Sequence, residues 1–138
     1  QVKLDYRVRI WDPALANLLN SFDKVIFLGD INVAPTEKDV SHPAKMKYYA
    51  GFSPEERKNI EEFLKGDWVD LWRERNPDKK QFTWVGYPNK LNYGLRLDNI
   101  IVKKQLLPLV QDVYIDSTFN LSDHLLVGIK IDLLNNKL

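Results

Sequence analysis

The chain has no cysteine, so disulfides and thiolate metal sites are excluded, and the composition fits a reducing compartment. Net charge is almost absent: 20 basic against 19 acidic residues leave +1. A uniformly basic nucleic-acid binder is thereby ruled out, and only a local basic face could hold a polyanion. No apolar run approaches the roughly 18 residues that cross a membrane, so no membrane partner is expected. The first residue is Gln1 rather than Met, and no basic-then-apolar leader follows it. The expectation is a fragment, a processed product or one piece of a longer intracellular protein, cytoplasmic in a prokaryote or nuclear in a eukaryote. Repeats, linkers and low-complexity tracts are missing too. What is there is 138 residues, 44% hydrophobic and 28% charged, enough for one domain with a real core.

Leu4, Val8, Trp11, Leu15, Leu18 and Phe22 recur at steps of three and four, the stripe of a long amphipathic helix. Pro13 costs about 3 kcal/mol inside a helix, so a break or kink is expected near Asp12. Val25, Ile26, Phe27 and Leu28 form a short buried strand that Gly29 releases. Residues 34 to 52 read as a long irregular connection, of the length that is usually functional or mobile. Ser53 with Glu56 makes a capping box, Pro54 takes the first helical position, and Ile60, Phe63 and Leu64 form the buried face before Gly66 ends the helix. Residues 68 to 75 read as a short helix stopped by Asn76 and Pro77. Strands are expected over 82 to 85, 97 to 102, 110 to 115 and 126 to 133, with a helical turn at 103 to 107. This order indicates a layered α/β or α+β domain.

Polar residues collect at the strand ends. In "KVIFLGDINVAPTE", residues 24 to 37, Asp30 and Asn32 stand two apart, which on extended backbone aims both side chains to one side of the sheet edge where ligands bind. The alternative is an Asp/Asn turn that hydrogen-bonds its own backbone. In "NLSDHLLVGIKIDL", residues 120 to 133, His124 is one of two histidines and can move a proton near neutral pH if a carboxylate fixes its tautomer. Two acids are candidates for that role or for binding a metal. Asp98 heads an otherwise apolar strand, where an acid needs a partner. Asp123 is the neighbour of His124 and so faces the opposite way, better placed to hold a cation than to orient the ring.

Taken together, "GDIN" at 29 to 32, "GFSPEER" at 51 to 57, "FTWVGY" at 82 to 87, "NYGLRLD" at 92 to 98 and "SDH" at 122 to 124 resemble the second half of the exonuclease III family of abasic-site endonucleases. "LDYRVRIWD" at 4 to 12 is similar to the helix before the first motif, with one extra residue. "GDxN" and "SDH" belong to a wider superfamily that includes DNase I, sphingomyelinases and inositol-phosphate phosphatases, whereas "GFSPEER" and "GLRLD" narrow the resemblance to the DNA-repair branch. "GLR" is closest to its bacterial-type members.

The resemblance implies a DNase I-like four-layer α-β-β-α sandwich, of which residues 1–138 are the C-terminal half, giving one mixed, mostly antiparallel sheet with helices on one face. It implies Mg²⁺-dependent hydrolysis (Mn²⁺ as an alternative) of the phosphodiester 5′ to an abasic site in double-stranded DNA, with 3′-5′ exonuclease activity as a companion. Carried over by motif, Asp30 would orient or deprotonate the water, and Asn32 would hold the phosphate or place Asp30. His124 would stabilise the phosphoryl oxygens or act as an acid, with Asp98 on its other nitrogen, and Asp123 would bind the metal or support a ligand that does. Trp84, Leu95 and Leu97 match the family's pocket for a sugar without a base, against the alternative of ordinary core. Lys45, Lys47 and Tyr48, within "HPAKMKYYAGF", would contact phosphates or wedge into the duplex from a mobile loop, against the alternative of solvated surface that applies more strongly to Lys79, Lys80 and Lys90.

The family's first half, which carries its main metal-binding glutamate, is not in this sequence. The chain alone is therefore expected to be inactive, with an apolar sheet face that the first half or a second copy covers. Leu125 and Leu126 follow His124 where the family has Pro two residues on, and Leu121 stands where a small or polar residue is common. Rival readings are another superfamily nuclease or phosphodiesterase, such as a retroelement endonuclease, and a non-catalytic half-domain that binds DNA or assembles.

Overall fold

A computed structural model describes residues 2–86, 93–118 and 121–133. Helix α1 (Val2–Tyr6) runs through a π-helical turn (Arg7–Trp11) directly into α2 (Asp12–Asn20), with no break at Asp12. The Asp12 N–H bonds back five residues to the Arg7 carbonyl, the hydrogen bond of a π turn. The expected break at Asp12 is therefore absent: Pro13 is taken into a continuous helix just after the π turn, and Asn59 Nδ2 donates to the Val8 carbonyl five residues before it at 2.7 Å.

The elements that follow are β1 (Ile26–Asp30), a 3₁₀ turn (Glu37–Asp39), α3 (Pro43–Met46), α4 (Pro54–Leu64), β2 (Trp68–Asp70) and α5 (Leu71–Arg75). The rest are β3 (Trp84–Val85), β4 (Gly94–Leu95), β5 (Asp98–Lys103), a 3₁₀ segment (Lys104–Leu109), β6 (Val110–Asp116) and β7 (Leu126–Ile131). Trp68–Asp70 is strand rather than the start of a helix. Its aromatic and β-branched residues pair with β5, and the Asp70 carboxylate caps α5 by accepting the Arg73 N–H. At α4 the capping box is present as read, with the Glu56 carboxylate also accepting the Gly51 N–H.

The described strands pair only antiparallel and form three sheets: β1-β5-β2, β3-β4 and β6-β7. The expected single mixed sheet is corrected accordingly. Alternate residues of the central sheet face opposite ways, and both faces are covered. Phe27 and Ile101 pack with Leu19, Ile60, Phe63 and Leu64 of α2 and α4. On the other side Ile26, Ile100 and Val102 pack with Leu71 and Trp72 of α5 and with Val113, Ile115, Val127 and Ile129 of the β6-β7 hairpin. The described residues thus supply a helical layer, a sheet and a hairpin packed on the sheet's other face, and the apolar sheet face expected to be bare is largely covered by the hairpin. Leu28 at the sheet and Tyr114 and Leu126 on the hairpin's outer face keep substantial exposure.

A third cluster sits beside the sheet edge. Ala34, Val40, Met46 and Phe52 pack against Leu95 and Leu97, and Val40 bridges to Leu95. Residues 34 to 52 keep the irregular path read from the sequence over most of their length, but that path is anchored, because their apolar residues are inserted into the core. Gly51 has φ of +83° and lies so close that a Cβ there would stand 3.0 Å from the Asn32 carbonyl oxygen and from Leu97 Cδ2. Only glycine meets both conditions.

Candidate active site

β1 and β5 run antiparallel with Asp30 directly across from Asp98, so the sheet register alone sets these two carboxylates at one edge. His124 reaches the same edge from the turn before β7. It bridges to Trp84, while the Leu125 N–H donates to the Thr83 carbonyl at 2.6 Å and the Val85 N–H to the Asp123 carbonyl at 3.2 Å. These bonds hold the imidazole over β5, and its Nδ1 meets Asp98 Oδ2 at 2.8 Å. A carboxylate partner makes Nδ1 the protonated nitrogen of the neutral ring and leaves the Nε2 lone pair for other chemistry. Partial burial works against the imidazolium, but the hydrogen bond and charge of Asp98, with the charges of Asp30 and Asp123, outweigh it and raise the His124 pKa above its ordinary value.

Asp30 and Asn32 are both exposed beside this pair, but the extended-chain argument for them fails. Asn32 has φ of +55°, and Asp30 Oδ1 accepts the Asn32 N–H at 2.6 Å. The chain makes the Asp/Asn turn that stood as the alternative. That turn leaves the second oxygen of Asp30 at the rim, and asparagine takes the left-handed conformation more readily than other residues with a Cβ.

Asp123, the neighbour of His124, makes a hydrogen bond of its own. Its Oδ2 accepts the Trp84 indole N–H at 3.0 Å, which is the main reason its pKa lies below the ordinary value. Among the described residues no group of three or more His, Asp or Glu side chains gathers as a cation cage. Asp123 and Asp30 are hard oxygen donors of the kind Mg²⁺ or Mn²⁺ takes, yet two rim carboxylates make only a partial site.

Leu95 and Leu97 are buried in the cluster beneath the 34–52 segment, so of the three residues matched to a sugar pocket only Trp84 reaches the surface. Lys45, on α3, and Lys47 and Tyr48, just after it, are exposed beside buried Met46. Lys47 Nζ lies 5.5 Å from the Tyr48 ring centroid. Lys80 donates to the Ser41 carbonyl and Lys79 lies over the Trp72 ring, as surface lysines do. Lys90 falls outside the described residues.

Thr83 was not singled out from the sequence. It is fully buried, and its Oγ1 accepts the N–H groups of Leu97 and Asp98, each at 2.9 Å, so it fixes the backbone that carries the His124 partner. The signal was a hydroxyl set between aromatics in a strand, where a buried polar atom must have partners. The buried ions around Arg96 were missed as well; their signal was a charge between two leucines.

The model of the endonuclease/exonuclease/phosphatase family matches residues 3–124. The chain belongs to this family. It is 36% identical over a 139-residue alignment to a DNA-(apurinic or apyrimidinic site) endonuclease of Dictyostelium discoideum, covering 95% of this chain and 38% of that protein. It is 33% identical over 138 residues to an exodeoxyribonuclease of Bacillus subtilis, covering 95% of this chain and 54% of that one. Among solved structures it is similar to an AP endonuclease from Archaeoglobus fulgidus, with a TM-score of 0.86 at 27% identity over 96% of this chain and 56% of the other. These family likenesses agree with the resemblance read from the motifs and with a DNase I-like α/β fold. The chain spans 38% and 54% of the length of the two curated relatives.

Proposed function

We propose that this chain carries the His–Asp portion of a divalent-metal-dependent DNA-repair phosphodiesterase that cuts 5′ to abasic sites, with 3′-5′ exonuclease activity as a second outcome. The observation that carries the reading is the 2.8 Å His124–Asp98 pair, set at one sheet edge with Asp30 across the ladder. Displacement at phosphorus needs an aligned water and a stabiliser for charge on the phosphoryl oxygens. In this proposal Asp30 orients or deprotonates the water, and Asn32 holds the phosphate or Asp30. His124, oriented by Asp98, donates from Nε2 to the phosphoryl oxygens in its imidazolium form, which the neighbouring carboxylates favour. Asp123, with Asp30 nearby, contributes to holding Mg²⁺ or Mn²⁺, which when bound offsets phosphate charge. Trp84 lines the pocket for a sugar lacking its base, with Leu95 and Leu97 behind it, and Lys45, Lys47 and Tyr48 contact the duplex.

Catalysis in this proposal requires the segment that the longer relatives have in addition. The two rim carboxylates leave the cation set short, and Tyr114 and Leu126 offer that segment a docking face. The test uses a duplex with a single abasic analogue and Mg²⁺, with and without a polypeptide supplying the family's first half. Incision on the 5′ side only in the completed mixture supports the proposal. Equal cutting of undamaged DNA would point to another superfamily phosphodiesterase, and DNA binding without cutting would leave a non-catalytic half-domain.

A further inference from the structure

Beneath the rim lies a cluster of ions that the proposed chemistry does not use. Arg96 is 0% exposed, and its guanidinium meets three side chains at once. Nε donates to Asp39 Oδ1 at 2.7 Å, Nη1 to Asp70 Oδ1 at 3.1 Å and Asn99 Oδ1 at 2.8 Å, and Nη2 to Asp70 Oδ2 at 2.5 Å. Arg73 joins Asp39 at 2.5 Å, so two cations face two anions. The Arg96 backbone N–H also donates to the Asp39 carbonyl.

Asn99 carries this order to the site. Its Oδ1 is held by Arg96, which turns its amide nitrogen toward the Leu97 carbonyl at 2.9 Å and the Val33 carbonyl at 3.1 Å. The Leu97 carbonyl also accepts the Ile31 N–H, next to Asp30. Asp98 is thus clamped between two residues of one network, and the segment bearing Asp30 and Asn32 is tied to the same atoms. A buried ion cluster is a poor source of stability compared with apolar packing, but its fixed directions suit it to setting geometry.

We infer that Arg96 is a positioning residue that acts through Asn99 to hold Asp98, and so His124, in register with Asp30. The inference rests on the assignment of His124 and Asp98 to the proposed reaction, but its test needs no cleavage. Ring ¹⁵N shifts of His124 in the full chain, recorded at a pH where the ring is neutral, report its tautomer, with His42 as an internal reference. The wild-type ring is expected to be dominated by the Nδ1–H form. Arg96→Lys keeps the charge but loses the fork, and Asn99→Ala removes the relay while leaving the ions paired. In either variant that keeps wild-type far-ultraviolet circular dichroism, the His124 shifts are expected to move toward a mixture of both tautomers while those of His42 stay. Folded variants with unchanged His124 shifts, whatever their melting temperature, would overturn the inference, and Asn99→Ala decides it if Arg96→Lys does not fold. A changed tautomer in a chain whose completed form cuts no DNA would retain the coupling and reject the nuclease reading instead.

Discussion

The buried joint around Arg96 and the open rim around His124 meet at Asp98, two residues from Arg96 and hydrogen-bonded to His124, yet they follow opposite rules. In the joint each cation meets a carboxylate at hydrogen-bond distance with water excluded. At the rim Asp30, Asn32 and Asp123 are exposed; Asp30 has one oxygen tied within the protein, and Asp123 accepts from Trp84 at Oδ2 and, at a long 3.4 Å, from Ser122 at Oδ1. The rim's spare hydrogen-bonding capacity is what a phosphate and a cation could use, and it is tolerable only because water satisfies it otherwise. In the joint nearly every polar atom is paired, Arg73 Nε being the exception. Geometry is fixed below, and chemistry is left open above.

The sharpest way to separate the two regions is His124→Asn in the chain supplied with a polypeptide of the family's first half. Single-turnover cleavage is expected to slow by about 10²–10⁴-fold, with DNA affinity by fluorescence anisotropy nearly unchanged. A variant that keeps its rate would move catalysis away from this ring.

Removal of the joint's hub should reverse that pattern. Arg96→Met leaves Asp70 buried without its cation and Asp39 with Arg73 alone, and is expected to cost about 3–5 kcal/mol in urea unfolding. A loss below about 1 kcal/mol would mean that the ions relax without it.

Acid probes the same joint more gently. Burial alone would push the Asp39 carboxyl up, but hydrogen bonds and charge from Arg96, with Arg73 and Thr36, outweigh it and hold the pKa below the ordinary 3.8. A depressed folded pKa gives stability that is fully present above the unfolded value and lost as pH falls through the folded one. Thermal melts are therefore expected to decline below about pH 4, and less steeply in Asp39→Asn. An identical acid slope in the variant would assign the loss to other groups. Smallest of all, Asp123→Asn at the exposed rim is expected to leave the melting temperature unchanged while loosening the Trp84 indole, read by tryptophan fluorescence.

What the sequence made legible follows the same division. The α4 capping box was readable because Ser53 and Glu56 are three residues apart and meet through local geometry. The Asp98–His124 pair spans 26 residues and came from motifs rather than periodicity. Arg96 and Asp39 are 57 positions apart, and no local pattern links them. Asn32 misled through the pleat argument because a left-handed residue ends the alternation on which that argument depends. The hairpin's place over the central sheet was likewise hidden, since a strand's pattern shows that one face is buried and not against what.

The most direct measurement is a double-mutant cycle on single-turnover cleavage in the completed nuclease, using Asp98→Asn, His124→Asn and both together. If Asp98 acts by holding His124, the pair works as a unit, and the double variant is expected to be no slower than the slower single variant. Losses that multiply would contradict this, because they would mean that the two side chains contribute independently to the reaction.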